Sequence, residues 1–120
     1  MILVDTSLWV EHLRWGSAAL SAELGAGRVL AHPFVIGELA CGTLKNRREV
    51  LDLLSRLPSA PVATHAEALG FLEQRALMGR GIGFVDVHLL VSTALAPPAR
   101  LWTRDRRLAA VAAALNLAYQ

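Results

Sequence analysis

Residues 2–7 read Ile-Leu-Val-Asp-Thr-Ser, a short apolar run that ends at a carboxylate and two hydroxyl side chains. Consecutive apolar residues of this kind predict a strand that is buried on both faces, as strands of parallel sheets are. The polar residues that follow can cap a helix, because side-chain oxygens accept hydrogen bonds from the free N–H groups of a first turn. This stretch therefore predicts a buried strand that leads directly into a helix.

The same alternation of short apolar strand and helix continues along the chain. We expect further strands at residues 29–31 and 101–103, with minor strands at 61–63 and 117–119. Helices are expected at about residues 8–14, 17–24, 33–41, 47–57, 64–78, 85–95 and 106–115. Such alternation indicates an α/β fold of α/β/α layers, with a parallel sheet of about five short strands flanked by helices.

Composition limits the class of protein further. The length of 120 residues fits one domain, which we expect to span residues 1–120. Apolar residues make up 54% of the chain and charged residues 18%, which excludes a disordered chain. The longest apolar run, residues 85–99, contains Asp86 and His88, so we expect no membrane-spanning helix and no membrane partner. With no signal-peptide pattern at the N-terminus and a single cysteine, Cys41, we expect a cytoplasmic protein without a disulfide.

The ten carboxylates fall into two groups. Six lie among polar or basic neighbours on predicted helices, as solvent-exposed residues do: Glu11, Glu23, Glu49, Asp52, Glu67 and Glu73. The other four lie within or directly after apolar stretches: Asp5, Glu38, Asp86 and Asp105. Burying an isolated carboxylate is costly, so each of these four needs a partner. Helix capping would explain three of them one by one, but Glu38 lies in the middle of a predicted helix.

A single shared site would explain all four carboxylates. In an open α/β sheet, residues that follow parallel strands gather outside the carboxyl ends of those strands. Asp5 and Asp105 would lie there, and the helices that carry Glu38 and Asp86 can face the same crevice. Divalent cations with oxygen ligands would remove the repulsion among four carboxylates, whereas zinc prefers His or Cys. The sequence therefore predicts a site for Mg²⁺ or Mn²⁺.

Four segments of the chain also resemble a known family. They are Val4-Asp5-Thr6-Ser7, Glu38-Leu39-Ala40, residues 83–90 (Gly-Phe-Val-Asp-Val-His-Leu-Leu) and residues 101–108 (Leu-Trp-Thr-Arg-Asp-Arg-Arg-Leu). In this order they resemble the PIN-domain ribonucleases, and most of all the VapC toxins of type II toxin–antitoxin systems. The resemblance extends over about residues 2–119. It implies a Mg²⁺- or Mn²⁺-dependent endoribonuclease that forms a homodimer and is neutralised by a VapB-like antitoxin, which places a segment across the active site.

The resemblance also implies roles for individual residues. Asp5, Glu38, Asp86 and Asp105 match the acidic quartet of the family, which binds the catalytic metal directly or through water. Thr6, Ser7 and Thr103 match the hydroxyl positions that support this quartet.

The chemistry of RNA hydrolysis agrees with an acidic metal site. The reaction needs a deprotonated water and stabilisation of charge on the phosphorane-like transition state and on the leaving 3′ oxygen. Two metal ions about 3.5–4 Å apart can supply all three, without a histidine as base. We expect Asp5 and Asp86 to be direct ligands, and Glu38 and Asp105 to complete the shell or orient the attacking water.

Basic residues near the predicted site are candidates for binding RNA phosphates. Arg104, Arg106 and Arg107 follow the strand expected at residues 101–103. The alternatives are an ion pair of Arg104 with Asp105 or another site acid, and plain solubility for the other two. His88 lies two residues from Asp86 but fits a hydrogen-bonded helix histidine better than a ligand. Trp9 and Trp15, on a short helix, fit either ordinary packing or the binding of an antitoxin or second subunit.

Three other functions remain open from the residues alone. A phosphoacceptor receiver domain also binds Mg²⁺ through acids, but it needs paired acids after its first strand and a lysine after a late strand. Here Asp5 stands alone after its strand, and Lys45 is the only lysine. A non-enzymatic binding module would use the acids only as helix caps. A nuclease of the same fold that acts on DNA or in RNA processing would share the metal site.

Overall fold

A parallel sheet lies at the centre of the computed structural model, which describes all residues 1–120. Its strands are β1 (Ile2–Val4), β2 (Val29–Leu30) and β3 (Arg100–Trp102), in the order β2-β1-β3. In the central strand, Leu3 pairs with Leu30 on one side and with Leu101 on the other. The apolar run that opens the sequence therefore forms the middle of the sheet.

Single-residue parallel bridges add one chain segment at each edge of the sheet. Ser59 pairs with Ala31 beyond β2, and Ala118 pairs with Leu101 beyond β3. Five segments thus lie side by side, and the predicted α/β fold with a parallel sheet is confirmed. The prediction of a strand at residues 61–63 was wrong, because pairing occurs at Ser59 instead. Pro61 has no N–H group to donate to a ladder, so the segment that contains it pairs poorly.

Seven helices surround the sheet. They are α1 (Thr6–Trp15), α2 (Ala18–Gly25), α3 (Pro33–Cys41), α4 (Arg47–Arg56), α5 (His65–Gln74), α6 (Phe84–Ala94) and α7 (Arg106–Ala114). All seven lie close to their expected positions, but α5 ends at Gln74 rather than near Met78. The chain leaves the helical conformation at Ala76, where φ is 53°, and Leu77 then turns into the core with 3% of its surface exposed.

The helix α6 is the most deeply buried helix of the fold. Every residue from Val87 to Thr93 is buried, and Leu89 and Leu90 have no exposed surface. They pack with Leu3 and Leu101 of the sheet in one apolar core. Packing on this scale fixes the position of α6 against the sheet, and with it the position of Asp86 in its first turn. None of the helices is both long and apolar enough to span a bilayer.

Candidate active site

Asp5 lies where β1 ends and α1 begins, with only 7% of its surface exposed. Its Oδ1 accepts a hydrogen bond from the Thr6 N–H at 2.7 Å, which caps α1. Its Oδ2 accepts hydrogen bonds from the hydroxyls of Thr103 at 2.7 Å and Ser7 at 3.1 Å. Three donors from two strand–helix junctions therefore hold this carboxylate in one orientation.

Asp105 occupies the equivalent position after β3. Its Oδ1 accepts a hydrogen bond from the Leu108 N–H at 2.9 Å and so caps α7. The Asp105 N–H donates to the Thr103 hydroxyl at 3.0 Å, and this same hydroxyl donates to Asp5. Thr103 thus connects the carboxylate of Asp5 to the backbone of Asp105, at the ends of two neighbouring strands.

Glu38 projects from α3, exposed to solvent. Its Oε1 accepts a hydrogen bond from the Thr6 hydroxyl at 2.6 Å. Thr6 is the residue after Asp5, so this bond joins the middle of α3 to the junction of β1 and α1. Each of the three hydroxyls predicted to support the quartet therefore contacts one of its carboxylates.

Asp86 lies in the first turn of α6, and its Oδ2 accepts a hydrogen bond from the Gly83 N–H at 3.0 Å. The pKa of Asp86 is raised, chiefly by burial and further by the negative charges of Asp5, Asp105 and Glu38, while the bond from Gly83 opposes the shift. Asp5, Asp105 and Glu38 therefore all lie within electrostatic reach of Asp86. Helix capping accounts for three of the four carboxylates, as expected from the sequence, but not for Glu38.

None of the four carboxylates forms an ion pair. The salt bridges of the structure join Glu23 to Arg28, Asp52 to Arg56 and Glu11 to Arg104. Four acidic groups without a cationic partner fit a divalent cation, and their oxygen-only donor set fits Mg²⁺ or Mn²⁺. No three His, Cys, Asp or Glu side chains form a ready-made cage.

The three arginines near the site differ in their surroundings. Arg104 pairs with Glu11 at 3.1 Å, so the alternative of an ion pair with Asp105 or another site acid was wrong. Arg106 and Arg107 are exposed at the start of α7 and form no salt bridge. The Arg107 side chain lies against Gly81, where an added Cβ would come within 2.6 Å of the Arg107 Cδ atom. A free guanidinium group therefore lies beside the loop that leads into α6.

The two tryptophans of α1 have different roles. Trp9 is 4% exposed and belongs to the core, as expected of ordinary packing. Trp15 is 81% exposed and lines a groove of about 400 Å³ together with Leu13, Leu44 and the site residue Glu38. A partly apolar groove thus reaches one of the four carboxylates, Glu38.

Sequence reasoning missed His32, which is fully buried. Its Nδ1 accepts a hydrogen bond from the Phe34 N–H at 3.0 Å, which caps α3. Its Nε2 must then carry the proton and donate to the Ser92 hydroxyl of α6, 3.0 Å away. Burial, and to a lesser extent the charge of His88, lowers the pKa of His32 to about 4. This side chain joins the helix of Glu38 to the helix of Asp86. Its place just before Pro33, which is typical of the first residue of a helix, could have identified His32 as the N-cap of α3.

Comparisons with known proteins agree with this geometry. The PIN domain family model matches residues 2–114. Ribonuclease VapC32 of Mycobacterium tuberculosis (strain CDC 1551 / Oshkosh) is 53% identical over 118 residues, covering 98% of this chain and 95% of the relative. Ribonuclease VapC32 of Mycobacterium tuberculosis (strain ATCC 25618 / H37Rv) gives the same values. These matches favour the PIN fold over the receiver-domain alternative, and the chain belongs to the PIN-domain family, among its VapC-type members.

Proposed function

We propose that this protein is a Mg²⁺- or Mn²⁺-dependent endoribonuclease and the toxin of a type II toxin–antitoxin system. The observation that carries this proposal is that three carboxylates, Asp5, Glu38 and Asp105, lie within electrostatic reach of a fourth, Asp86, and that none of the four has a cationic partner. The likeness to two ribonucleases over nearly the whole chain supports RNA as the substrate. Since RNA is the proposed substrate, we place the activity in the cytoplasm and assign residues 1–120 to one catalytic domain.

The four carboxylates have different proposed roles, according to how buried each of them is. Asp5 and Asp86, the two partly or fully buried acids, are proposed as direct metal ligands. Glu38 and Asp105, which are exposed, complete the shell or orient the attacking water. Bound divalent cations lower the pKa of water and stabilise charge on the transferred phosphate. Ser7 and Thr103 fix the direction of the Asp5 carboxylate, and Thr6 fixes that of Glu38.

Arg106 and Arg107 are proposed to bind phosphates of the RNA strand on either side of the cut. Both side chains are exposed and form no salt bridge, so neither must break an ion pair first. Arg104 is a weaker candidate, because its guanidinium group already pairs with Glu11. Phosphate contacts of this kind position a strand without reading its sequence.

A VapB-like antitoxin is the proposed occupant of the groove between α1 and α3. The groove holds about 400 Å³ and contains both exposed Trp15 and the carboxylate Glu38. A segment that fills it would therefore cover one of the proposed catalytic residues. Trp15→Ala is expected to weaken neutralisation by the antitoxin and to leave RNA cleavage unchanged. The proposed homodimer rests on the family resemblance, and sedimentation of the purified protein tests it.

Cleavage of single-stranded and structured RNA, with Mg²⁺, with Mn²⁺ and with EDTA, tests the activity. Glu38→Gln is the most informative variant, because Glu38 caps no helix and its loss should leave the fold intact. We expect at least about a tenfold loss of cleavage in Glu38→Gln and in Asp5→Asn. Glu73→Gln, which removes an exposed carboxylate from α5, is the matched control. Cleavage that survives EDTA, or equal activity in all variants, would contradict the proposal.

Growth arrest tests the toxin assignment separately. Induced expression of the protein is expected to stop growth, and Glu38→Gln is expected to relieve the arrest. A protein that cuts RNA but never slows growth would instead be a nuclease of RNA processing, the alternative kept open by the sequence.

A further inference from the structure

Two phenyl rings are exposed at the starts of α3 and α6. Phe34 and Phe84 each have 37% of their surface exposed, although rings of this size are usually buried. The ring of His88, which is 5% exposed, lies between them. Its centroid is 4.9 Å from that of Phe34 and 4.8 Å from that of Phe84, at interplanar angles of 72° and 86°. These three rings form a contiguous patch, here called the aromatic surface.

The aromatic surface shares a helix face with one of the site carboxylates, Glu38. Phe34 lies four residues before Glu38 on α3, so the two side chains share one face of that helix. Phe84 is the first residue of α6, and the Asp86 side chain folds back to bond the N–H of the preceding residue, Gly83. Phe34 therefore lies one helical turn from Glu38, whereas Phe84 and Asp86, two residues apart, do not share a helix face.

A free cation lies near the same loop. Arg107 packs against Gly81, which leads through Gly83 into Phe84, and it has no acidic partner. A nucleic acid strand presents phosphates and flat bases in alternation. A guanidinium group suits the phosphates, and exposed rings suit unstacked bases. Arg107 and the rings thus offer contacts of the kinds that suit the phosphates and the bases of a single strand.

We propose that Phe34 and Phe84, braced by His88, stack on an unpaired nucleobase next to the scissile phosphate. This inference rests on the proposed ribonuclease function and adds a specificity-determining surface to it. A base inside a duplex is already stacked and cannot reach the rings, so the enzyme selects single-stranded RNA or loops. The competing role is structural: the phenyl rings would only cover the buried imidazoles, since Phe34 also contacts His32 at 5.1 Å. Leucine would serve that role but would not stack.

A set of abasic substrates separates the two roles. The probe is a short single-stranded RNA that the wild-type protein cuts once, together with copies in which one base beside the cut is missing. For the wild type, kcat/KM should fall at least about fivefold when the stacked base is absent. Phe34→Leu and Phe84→Leu should cut the intact RNA at least about fivefold more slowly and lose nothing further on the abasic RNA.

Two control variants complete the set. Phe84→Tyr keeps a stacking ring, so its kcat/KM should still fall when the stacked base is absent. Leu95→Ala removes a side chain of similar exposure, 47%, at the opposite end of α6, and it should also retain the full dependence on the base. Because intact and abasic substrates are compared within each variant, partial loss of folded protein cancels.

Two results would contradict base stacking by the aromatic surface while leaving the proposed ribonuclease function intact. One is a wild-type abasic penalty that persists in both leucine variants. The other is a change in sedimentation of these variants with unchanged dependence on the base, which would mean that the rings contact a second copy of the chain. If the wild type cuts no RNA, the ribonuclease proposal fails instead. Quenching of a 2-aminopurine base in single-stranded RNA by the wild type, but not by Phe84→Leu, would then still support stacking, and no quenching would overturn it.

Discussion

Mild acid is expected to destabilise the protein through His32. This side chain is fully buried and neutral, with a pKa lowered to about 4 from an ordinary value of 6.5. In the unfolded chain the imidazole regains its ordinary pKa, so between these two values the unfolded state binds more protons. The contribution of His32 to stability is therefore fully present above about pH 6.5 and is lost as the pH falls through about 4.

The size of the effect follows from the same two values. Between about pH 7.5 and about pH 5, the unfolded imidazole becomes almost fully protonated, whereas the folded one stays mostly neutral. Integrating this difference gives a loss of about 2 kcal/mol in the free energy of unfolding. A domain of this length typically has a total stability of about 5–15 kcal/mol, so the loss is measurable.

Urea unfolding at these two pH values measures the loss, in the wild type and in His32→Asn. Asparagine still caps a helix and does not titrate, so this variant should lack about 2 kcal/mol of the pH-dependent loss. Ser92→Ala is the matched control, because it removes the hydroxyl partner but leaves the buried imidazole in place. It should be less stable at both pH values and keep the pH dependence. Equal losses in wild type and His32→Asn would refute the reasoning.

Three further changes have defined outcomes. Gly81→Ala places a Cβ within 2.6 Å of Arg107 at a φ of +79°, so it should displace the Arg107 side chain and weaken RNA binding. Fluorescence anisotropy, with Arg107→Ala as reference, measures the binding, and an affinity equal to that of the wild type would contradict this. Thr103→Val removes the hydroxyl that joins Asp5 to Asp105. We expect the cleavage rate to fall by a larger fraction of its wild-type value than Tm does. Leu89 lies in the core with no exposed surface, so Leu89→Ala should lower the free energy of unfolding in urea by about 2–5 kcal/mol. A loss under about 1 kcal/mol would mean that neighbouring side chains fill the cavity left by Leu89.

The local elements of the fold were predictable because their signals are local. The run at residues 2–4 and the caps at Asp5 and Asp105 specify strand–helix junctions within a few residues. Parallel strands then bring those junctions to one edge, which is why Asp5 and Asp105 share the hydroxyl of Thr103.

Contacts between distant segments were not predictable in this way. Arg104 pairs with Glu11 across 93 residues, although an acid directly follows it in sequence. His32 meets Ser92 across 60 residues, and only the packing of α3 against α6 shows that its ring is buried.

Three of the four site carboxylates also complete helix termini, and this dual use sets which substitutions each position tolerates. At Asp5 and Asp105, a library selected only for a folded chain should retain the short residues that cap helices: Asn, Ser and Thr beside Asp. At Glu38, which caps nothing, the same library should accept almost any good helix former. A lineage released from selection for activity would therefore diverge freely at Glu38, whereas Asp5 and Asp105 would vary only among short capping residues.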